Sequence, residues 1–449
     1  MTKEIISKYN IASPRYTSYP TILDWNRSEF DPLEFGSKFI DFERNKDHST
    51  SVYIHLPFCE SLCTFCGCHK QITKNHAVEQ PYIDALIAEW EMYEKLNDGP
   101  IVISELYLGG GTPTFFSTNA LKRLVQRITL HRADRFYFSV EGHPNHTTYG
   151  QMKALYELGF RRISFGVQDY SPEVQKSINR IQSFDQVQKV TREAREIGYT
   201  SVSHDLVFGL PHQTKSDLIN SIEKTLILRP DTVSLYSYAH VPWVKGTGQR
   251  GFSEEDLPEA SLKKEMYETG SALLKQQGYL EIGMDHFGLP DEPLTKAMKE
   301  GKLNRTFMGY TTSNSDRTIG LGVSAISEYS FGYAQNVKNL KEYHARIKAG
   351  KLPVAKGHIH SPLDRAVRKH IKSLMCNFET TYCGNSWLNK SIERNEKHFR
   401  EFEQDGIIVR EKNALKITVD GQPFVRNVCM ALDPYMRKKE KVQRFSKSV

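Results

Sequence analysis

The sequence predicts an α/β protein in which right-handed strand-helix units curl into a full or partial barrel. Three observations predict it. Short apolar runs alternate with amphipathic helical stretches over residues 51–300, the pattern of a parallel sheet covered by helices. Most of these runs end in a residue able to touch a ligand, and in such sheets the carboxyl ends of the strands carry the chemistry. The chain has 449 residues, enough for a barrel of about 250 with attachments at both ends.

Residues 1–50 are expected to form an extended covering segment, because PRYTSYPT (14–21) combines Pro, Tyr and Thr in a way that disfavours a helix. The barrel follows at 51–300. SVYIHLPF (51–58) is read as its first strand, leading into a cysteine-rich loop, and PYIDALIAEWEMYEKL (81–96) as a helix. The later runs are ELYLGGG, FYFSVEG, RRISFGVQ, SVSHDLVFGLP, TVSLYSYAHVP and YLEIGMDHF. At their ends stand the glycines at 109–111, Glu141, Gln168, Asp205, Ala239-His240 and Asp285-His286. Two intervening helices read clearly. Ser183 with Gln186 makes a capping-box start, Phe184, Val187, Val190, Ala194 and Ile197 form the apolar stripe, and Gly198 stops it. Thr214 with Asp217 is a weaker start, since Asp is shorter than Glu or Gln, and Arg229-Pro230 ends that helix. Residues 301–360 are expected to supply barrel-completing strands and loops over the mouth. Residues 361–449 read as a mainly helical, winged-helix-like module, with helical runs at 364–376 and 391–405 and a hairpin at 406–421.

Composition narrows the function classes. No apolar run approaches the ~18 residues needed to span a bilayer, and MTKEIISKYN carries no apolar leader core, so no membrane insertion and a cytoplasmic location are expected. Net charge is +7, but the stretch from Arg437 onward holds +5 of it, and no interleaved aromatic-basic RNA motif accompanies it. A nucleic-acid partner is therefore not expected.

Four of the seven cysteines, Cys59, Cys63, Cys66 and Cys68, fall within ten residues. In a reducing compartment this reads as a metal site and not a disulfide framework. Structural zinc sites usually draw their ligands as two separated pairs. One short loop can instead wrap three thiolates around a cubane cluster and leave its fourth iron open. Spacing favours the open [4Fe-4S] cluster, with zinc and redox thiols as alternatives. For Cys376, Cys383 and Cys429 a structural role is expected.

The C-x3-C-x2-C spacing after a strand resembles that of radical S-adenosylmethionine (SAM) enzymes. YIHLPFCESLCTFCGCHK (53–70), with its CGC extension, and PRYTSYPT together resemble the oxygen-independent coproporphyrinogen III oxidases, or coproporphyrinogen dehydrogenases, of heme biosynthesis. GGGTPT (109–114), GVQD (166–169), NR (179–180), DLVFGLP (205–211), YAHVP (238–242), IGMDHF (282–287), GYTT (309–312), GVSAIS (322–327), AQN (334–336) and MCNF (375–378) extend the resemblance over nearly the whole chain.

The resemblance implies a partial (β/α)6 radical SAM barrel that oxidatively decarboxylates two propionates of coproporphyrinogen III to vinyls, giving protoporphyrinogen IX without dioxygen. An unactivated C-H bond must break, which no side-chain acid or base achieves, so a cofactor supplies a radical. By the resemblance Cys59, Cys63 and Cys66 hold the [4Fe-4S] cluster, its open iron chelates SAM, and a 5'-deoxyadenosyl radical takes a propionate β-hydrogen. Cys68 is left off the metal, because a closed cluster could not bind SAM. The family's two SAM sites map onto Tyr53, Gly110, Glu141 and Ile326 for the first, and Phe65, Gly111, Thr112, Gln168, Arg180, Asp205 and Ala239 for the second. Each has a plainer reading beside it: a tight turn for the glycines, ion pairs for Arg180 and Asp205, a core position for His55. Arg15, Tyr16 and Tyr19 are candidates for substrate contact, as are Arg161 and Arg162, for which capping a helix end is the plainer reading. After Glu141 the chain reads Gly142-His143-Pro144, where the family carries an apolar residue and an acid. The expected partners are coproporphyrinogen III and an unidentified one-electron donor, and the expected state is a monomer. Alternatives are a heme-binding chaperone, whose members lack the second cysteine of CGC and the PRYTSYP segment, and a heme-processing radical SAM methyltransferase.

Overall fold

Six parallel strands lie side by side in chain order: β1 (Thr50–Leu56), β2 (Ile103–Gly110), β3 (Arg132–Gly142), β4 (Phe160–Gln168), β5 (Ser201–Phe208) and β6 (Thr232–Ser237). The structure, a computed structural model, describes residues 3–25, 30–43, 49–243, 248–249, 251–315, 317–382 and 387–437. Helices Glu79–Leu96, Thr118–Ile128, Tyr149–Glu157, Phe184–Ile197 and Lys215–Leu228 connect the strands. Period-two alternation decides which side chains they cover. On β4, Ile163, Phe165 and Val167 are fully buried in the main core, while Arg162, Ser164, Gly166 and Gln168 face the other way and are half-buried. On β1, Val52, Ile54 and Leu56 take the core side and Tyr53 and His55 the inner side.

The sheet does not close. Beyond β6 it adds the antiparallel strands His286–Gly288 and Leu280–Gly283; beyond β1 it adds Arg317–Leu321, parallel, then Ile326–Tyr329, Gly332–Asn336 and Val354–Ile359, antiparallel. This is the partial (β/α)6 barrel expected, embedded in a 12-stranded sheet.

The helix ends follow the sequence signals, with one exchange. The Ser183 hydroxyl accepts from the Gln186 N-H at 3.2 Å and Gly198 ends the helix in the left-handed region, but the Gln186 side chain donates instead to the Pro144 carbonyl at 2.6 Å. The shorter Thr214–Asp217 pair forms both halves of its box. The reach of Gln186 is drawn off by a carbonyl on the neighbouring turn, a partner that sequence spacing does not reveal.

The amino-terminal segment is less extended than expected. It carries two helices, Lys3–Tyr9 and Pro32–Glu43, around an irregular PRYTSYPT. Phe35 and Phe39, one turn apart, are buried and pack edge-on against Tyr329 at 5.5 and 5.6 Å, so tertiary contacts and not periodicity stabilise the second helix. After residue 361 come helices Pro362–Asn377, Trp387–Arg394, Glu396–Gln404 and Val425–Leu432 with an antiparallel sheet of Glu379–Thr381, Ala414–Ile417 and Ile408–Glu411. Its core includes Tyr9, Tyr16 and Tyr19. Cys376 and Cys429 are buried there and in the adjoining cluster, in keeping with a structural role; Cys383 and the basic stretch after residue 437 lie outside the described residues. Among the described residues no helix is long and apolar enough to cross a membrane.

Candidate active site

The loop that follows β1 crosses the carboxyl ends of the strands and is pinned from the far side of the barrel. Asn179 takes a left-handed conformation (φ +51°), and its side-chain amide donates to the Leu62 carbonyl at 2.8 Å. Thr64 donates from its N-H to Ile178 and from its hydroxyl to Ser177, each at 3.0 Å. The turn at Asn179 sends Arg180 toward the loop, where Nη1 lies 3.7 Å from the Cys63 sulfur; the Thr112 hydroxyl lies 3.4 Å from the Cys59 sulfur. Each of these two thiols therefore has a hydrogen-bond donor from another element beside it, and burial pushes the Cys59 thiol up to about 11. The glycines answer a steric demand: a Cβ on Gly111 would sit 2.6 Å from the Pro57 carbonyl, and Gly110 has φ +117°.

Cys59, Cys63, Cys66, Phe65, Gly110, Gly111, Thr112, Glu141, Gln168, Arg180 and Asp205 all line one cavity of about 180 Å³, together with Cys68. Glu141 accepts the Tyr107 hydroxyl at 2.7 Å and the Gly110 N-H at 3.2 Å, and burial pushes its carboxyl up to about 7. Burial likewise raises Asp205, against the Ser164 hydroxyl at 2.9 Å. Both are positioned to accept from a ligand, and burial makes a cationic or donor-rich ligand the way to keep them charged. The Arg180 Nε is buried with no acceptor among the described residues.

Other sequence-predicted residues stand outside this cavity. Tyr53 lies on the inner face of β1, its hydroxyl 3.0 Å from His55 Nδ1. Ala239 is linked to the cysteine loop indirectly: the Gln249 amide donates to the carbonyls of Ala239 (2.9 Å) and Phe65 (3.2 Å). The Ile326 side chain packs with Trp25 and Tyr333. Arg15 pairs with Asp285, and Tyr16 and Tyr19 are core residues of the carboxyl-terminal module, Tyr16 donating to Asp433 at 3.1 Å. Sequence reading missed Gln249, which no motif marks, and Ser164 and Gly166, which the alternation on β4 would have found. His143, at the departure from the family pattern, lines the cavity as a neutral ring, its pKa pushed down to about 2 by burial and the Arg180 charge.

Comparison with known proteins now bears on this geometry. The radical SAM superfamily profile matches residues 53–225. Proteins named oxygen-independent coproporphyrinogen III oxidase are 35% identical in Pseudomonas aeruginosa (99% of this chain, 98% of that one) and 36% identical in Helicobacter pylori strain 26695 (99% of each). The solved coproporphyrinogen III oxidase of Escherichia coli, described as a radical SAM enzyme, superposes with a TM-score of 0.89 at 34% identity, covering 97% of this chain and 99% of that one. The chain belongs to the oxygen-independent coproporphyrinogen III oxidase family. Like its family, it is a radical SAM oxidoreductase whose groups are a [4Fe-4S] cluster and SAM.

The residues present fit those groups. Among the described residues no set of three or more His, Cys, Asp or Glu converges on a single metal ion, whereas a cubane spreads its thiolates over separate irons. The donors on Cys59 and Cys63, and the unpartnered Arg180 Nε within the same cavity, complete the match to an anionic cluster beside a carboxylate-bearing ligand.

Proposed function

We propose that this chain converts two propionates of coproporphyrinogen III to vinyls, yielding protoporphyrinogen IX without dioxygen. One observation carries the reading: the cysteine loop opens into the same cavity as Glu141, Arg180 and Asp205, on a chain related over its full length to named oxidases. Cys59, Cys63 and Cys66 would hold the cluster. When bound, the cluster and SAM supply a 5'-deoxyadenosyl radical that takes one hydrogen atom from each propionate. Release of CO2 then forms the vinyl and leaves one electron for an acceptor.

The chain's own residues bind and orient. The Gly110 and Gly111 backbone lets the methionyl end of SAM approach without a Cβ. Glu141 would accept from the ammonium group of the first SAM, while for the second Arg180 would offer a guanidinium to a carboxylate and Asp205 would accept from a ribose hydroxyl. Phe65, Gly111, Thr112, Gln168 and Ala239 would frame that second SAM beside Arg180 and Asp205, and Tyr53, Gly110 and Ile326 would flank the first. A one-electron donor must come from outside. Reduced thiols around a cluster fit a reducing cytoplasm. The test is to incubate anaerobically reconstituted protein with coproporphyrinogen III, SAM and a reductant. Protoporphyrinogen with 5'-deoxyadenosine is the expected outcome; deoxyadenosine without vinyl product would overturn the substrate, and heme binding without turnover would favour a chaperone.

A further inference from the structure

Filled barrels pack their interior with branched apolar side chains. This one is hollow. Ser139, Ser164, Ser203 and Ser234 occupy inner positions of β3 to β6, and behind them lies a chamber of about 500 Å³ with Tyr107 and Tyr236 on its wall. Ser164, Glu141 and Asp205 line both this chamber and the cysteine-loop cavity, so the two share a wall. The volume lies within the roughly 300–1,000 Å³ of small-molecule sites.

Two adjacent arginines open β4 and point opposite ways. Arg161 is exposed; its Nη1 donates to the carbonyls of Tyr156 (2.7 Å) and Phe160 (2.9 Å), and its guanidinium lies 3.9 Å from the centre of the Tyr156 ring. Arg162 turns inward with Ser164 and Gly166. Among the described residues its side chain makes no ion pair or hydrogen bond, and its charge acts on Asp205 and His286 across the chamber. The remaining chamber carboxylates are committed elsewhere. Glu105 accepts from Ser51 (2.6 Å) and Thr311 (2.7 Å), and Glu292 caps the helix Pro293–Lys299 through Leu294 (2.6 Å) and Thr295 (3.3 Å). At 3.3 Å per residue, Arg162 stands about 13 Å down β4 from Gly166, at the end of the chamber away from the cysteine loop.

We propose that this chamber seats the tetrapyrrole and that Arg162 holds the carboxylate of a propionate that is not reacting. The proposal rests on the functional reading above. A macrocycle with carboxylates around its rim presents one of them to the cofactor cavity and another to the opposite end, where the Arg162 side chain makes no ion pair among the described residues. The aromatic wall packs the ring, and the serines give it room.

The probes are coproporphyrin III, the fluorescent oxidised form of the substrate, and its tetramethyl ester, both titrated against the reconstituted protein. In Arg162→Met the expected results are a coproporphyrin III affinity at least tenfold weaker, an unchanged ester affinity, and a KM for coproporphyrinogen III raised by a similar factor. Arg162→Lys, which keeps a charge without the planar fork, should recover part of the loss. Equal coproporphyrin III affinity in wild type and Arg162→Met, or equal weakening of acid and ester, overturns the role of Arg162 while leaving the function intact. A wild-type protein that forms no vinyl product overturns both.

Discussion

The thiols of the cysteine loop do not share one environment. Cys63 meets Arg180 and Cys59 meets Thr112, whereas Cys68 sits exposed at the rim of the cavity. On the proposed assignment, removing Cys63 would take a ligand from the cluster and removing Cys68 would take none. Cys63→Ala is therefore expected to lose bound iron and sulfide, and Cys68→Ala to retain both, by direct iron and sulfide determination on anaerobically reconstituted protein. Iron and sulfide retained in Cys63→Ala would refute the ligand assignment. The four cysteines were legible because their spacing is local. Arg180 lies more than a hundred residues from Cys63 and became a candidate only through the family motif; its direct approach to the sulfur depends on a left-handed turn at Asn179.

Individual elements carry titratable groups whose environment is set by packing. His204 faces the helix side of β5, fully buried, with its Nε2 2.9 Å from the Thr191 hydroxyl on helix Phe184–Ile197. Burial pushes its pKa down to about 3, so the folded state keeps the ring neutral while the unfolded chain takes up a proton near pH 6.5. The unfolded state thus binds more protons between these values, and the contribution of His204 to stability is full above pH 6.5 and erodes as pH falls toward 3. Compared with His204→Gln, the wild type should lose about 2 kcal/mol of its stability advantage between pH 7 and pH 5. Urea unfolding of both proteins at the two pH values measures this; a constant difference would contradict it. The existence of that helix and strand was readable from period and caps. That a histidine on the apolar face stays uncharged was not, since it depends on which neighbours surround it.

At the level of the whole molecule the two ends of the chain are interlocked. Tyr9 stacks on Phe402 with ring centres 5.3 Å apart, its carbonyl accepts from the Asn427 side chain at 2.9 Å, and Tyr16 reaches Asp433. The carboxyl-terminal module thus completes its core with residues that precede the barrel in sequence. Deleting residues 1–20 is expected to expose apolar residues such as Leu374, Phe402 and Val428 and make 362–437 cleavable at protease concentrations that leave the full chain intact. Unchanged protection would show that the module holds together by itself.

The contrast has one physical origin. Periodicity, caps and cysteine spacing are properties of neighbouring residues, and from them came the six strand-helix units, their order, and the three-thiol loop at a strand end. Family motifs added Arg180 and gave a ligand to Glu141 and Asp205, which the strand ends had already marked. The helix at Pro32–Glu43 escaped because its stability comes from Phe35 and Phe39 docking on Tyr329, a contact across nearly three hundred residues. The redirection of Gln186 to Pro144, the bridge of Gln249 between Phe65 and Ala239, and the inward turn of Arg162 beside the outward turn of Arg161 escaped for the same reason. Each is decided by what lies opposite in space, and only the folded chain brings those partners within hydrogen-bond or van der Waals reach.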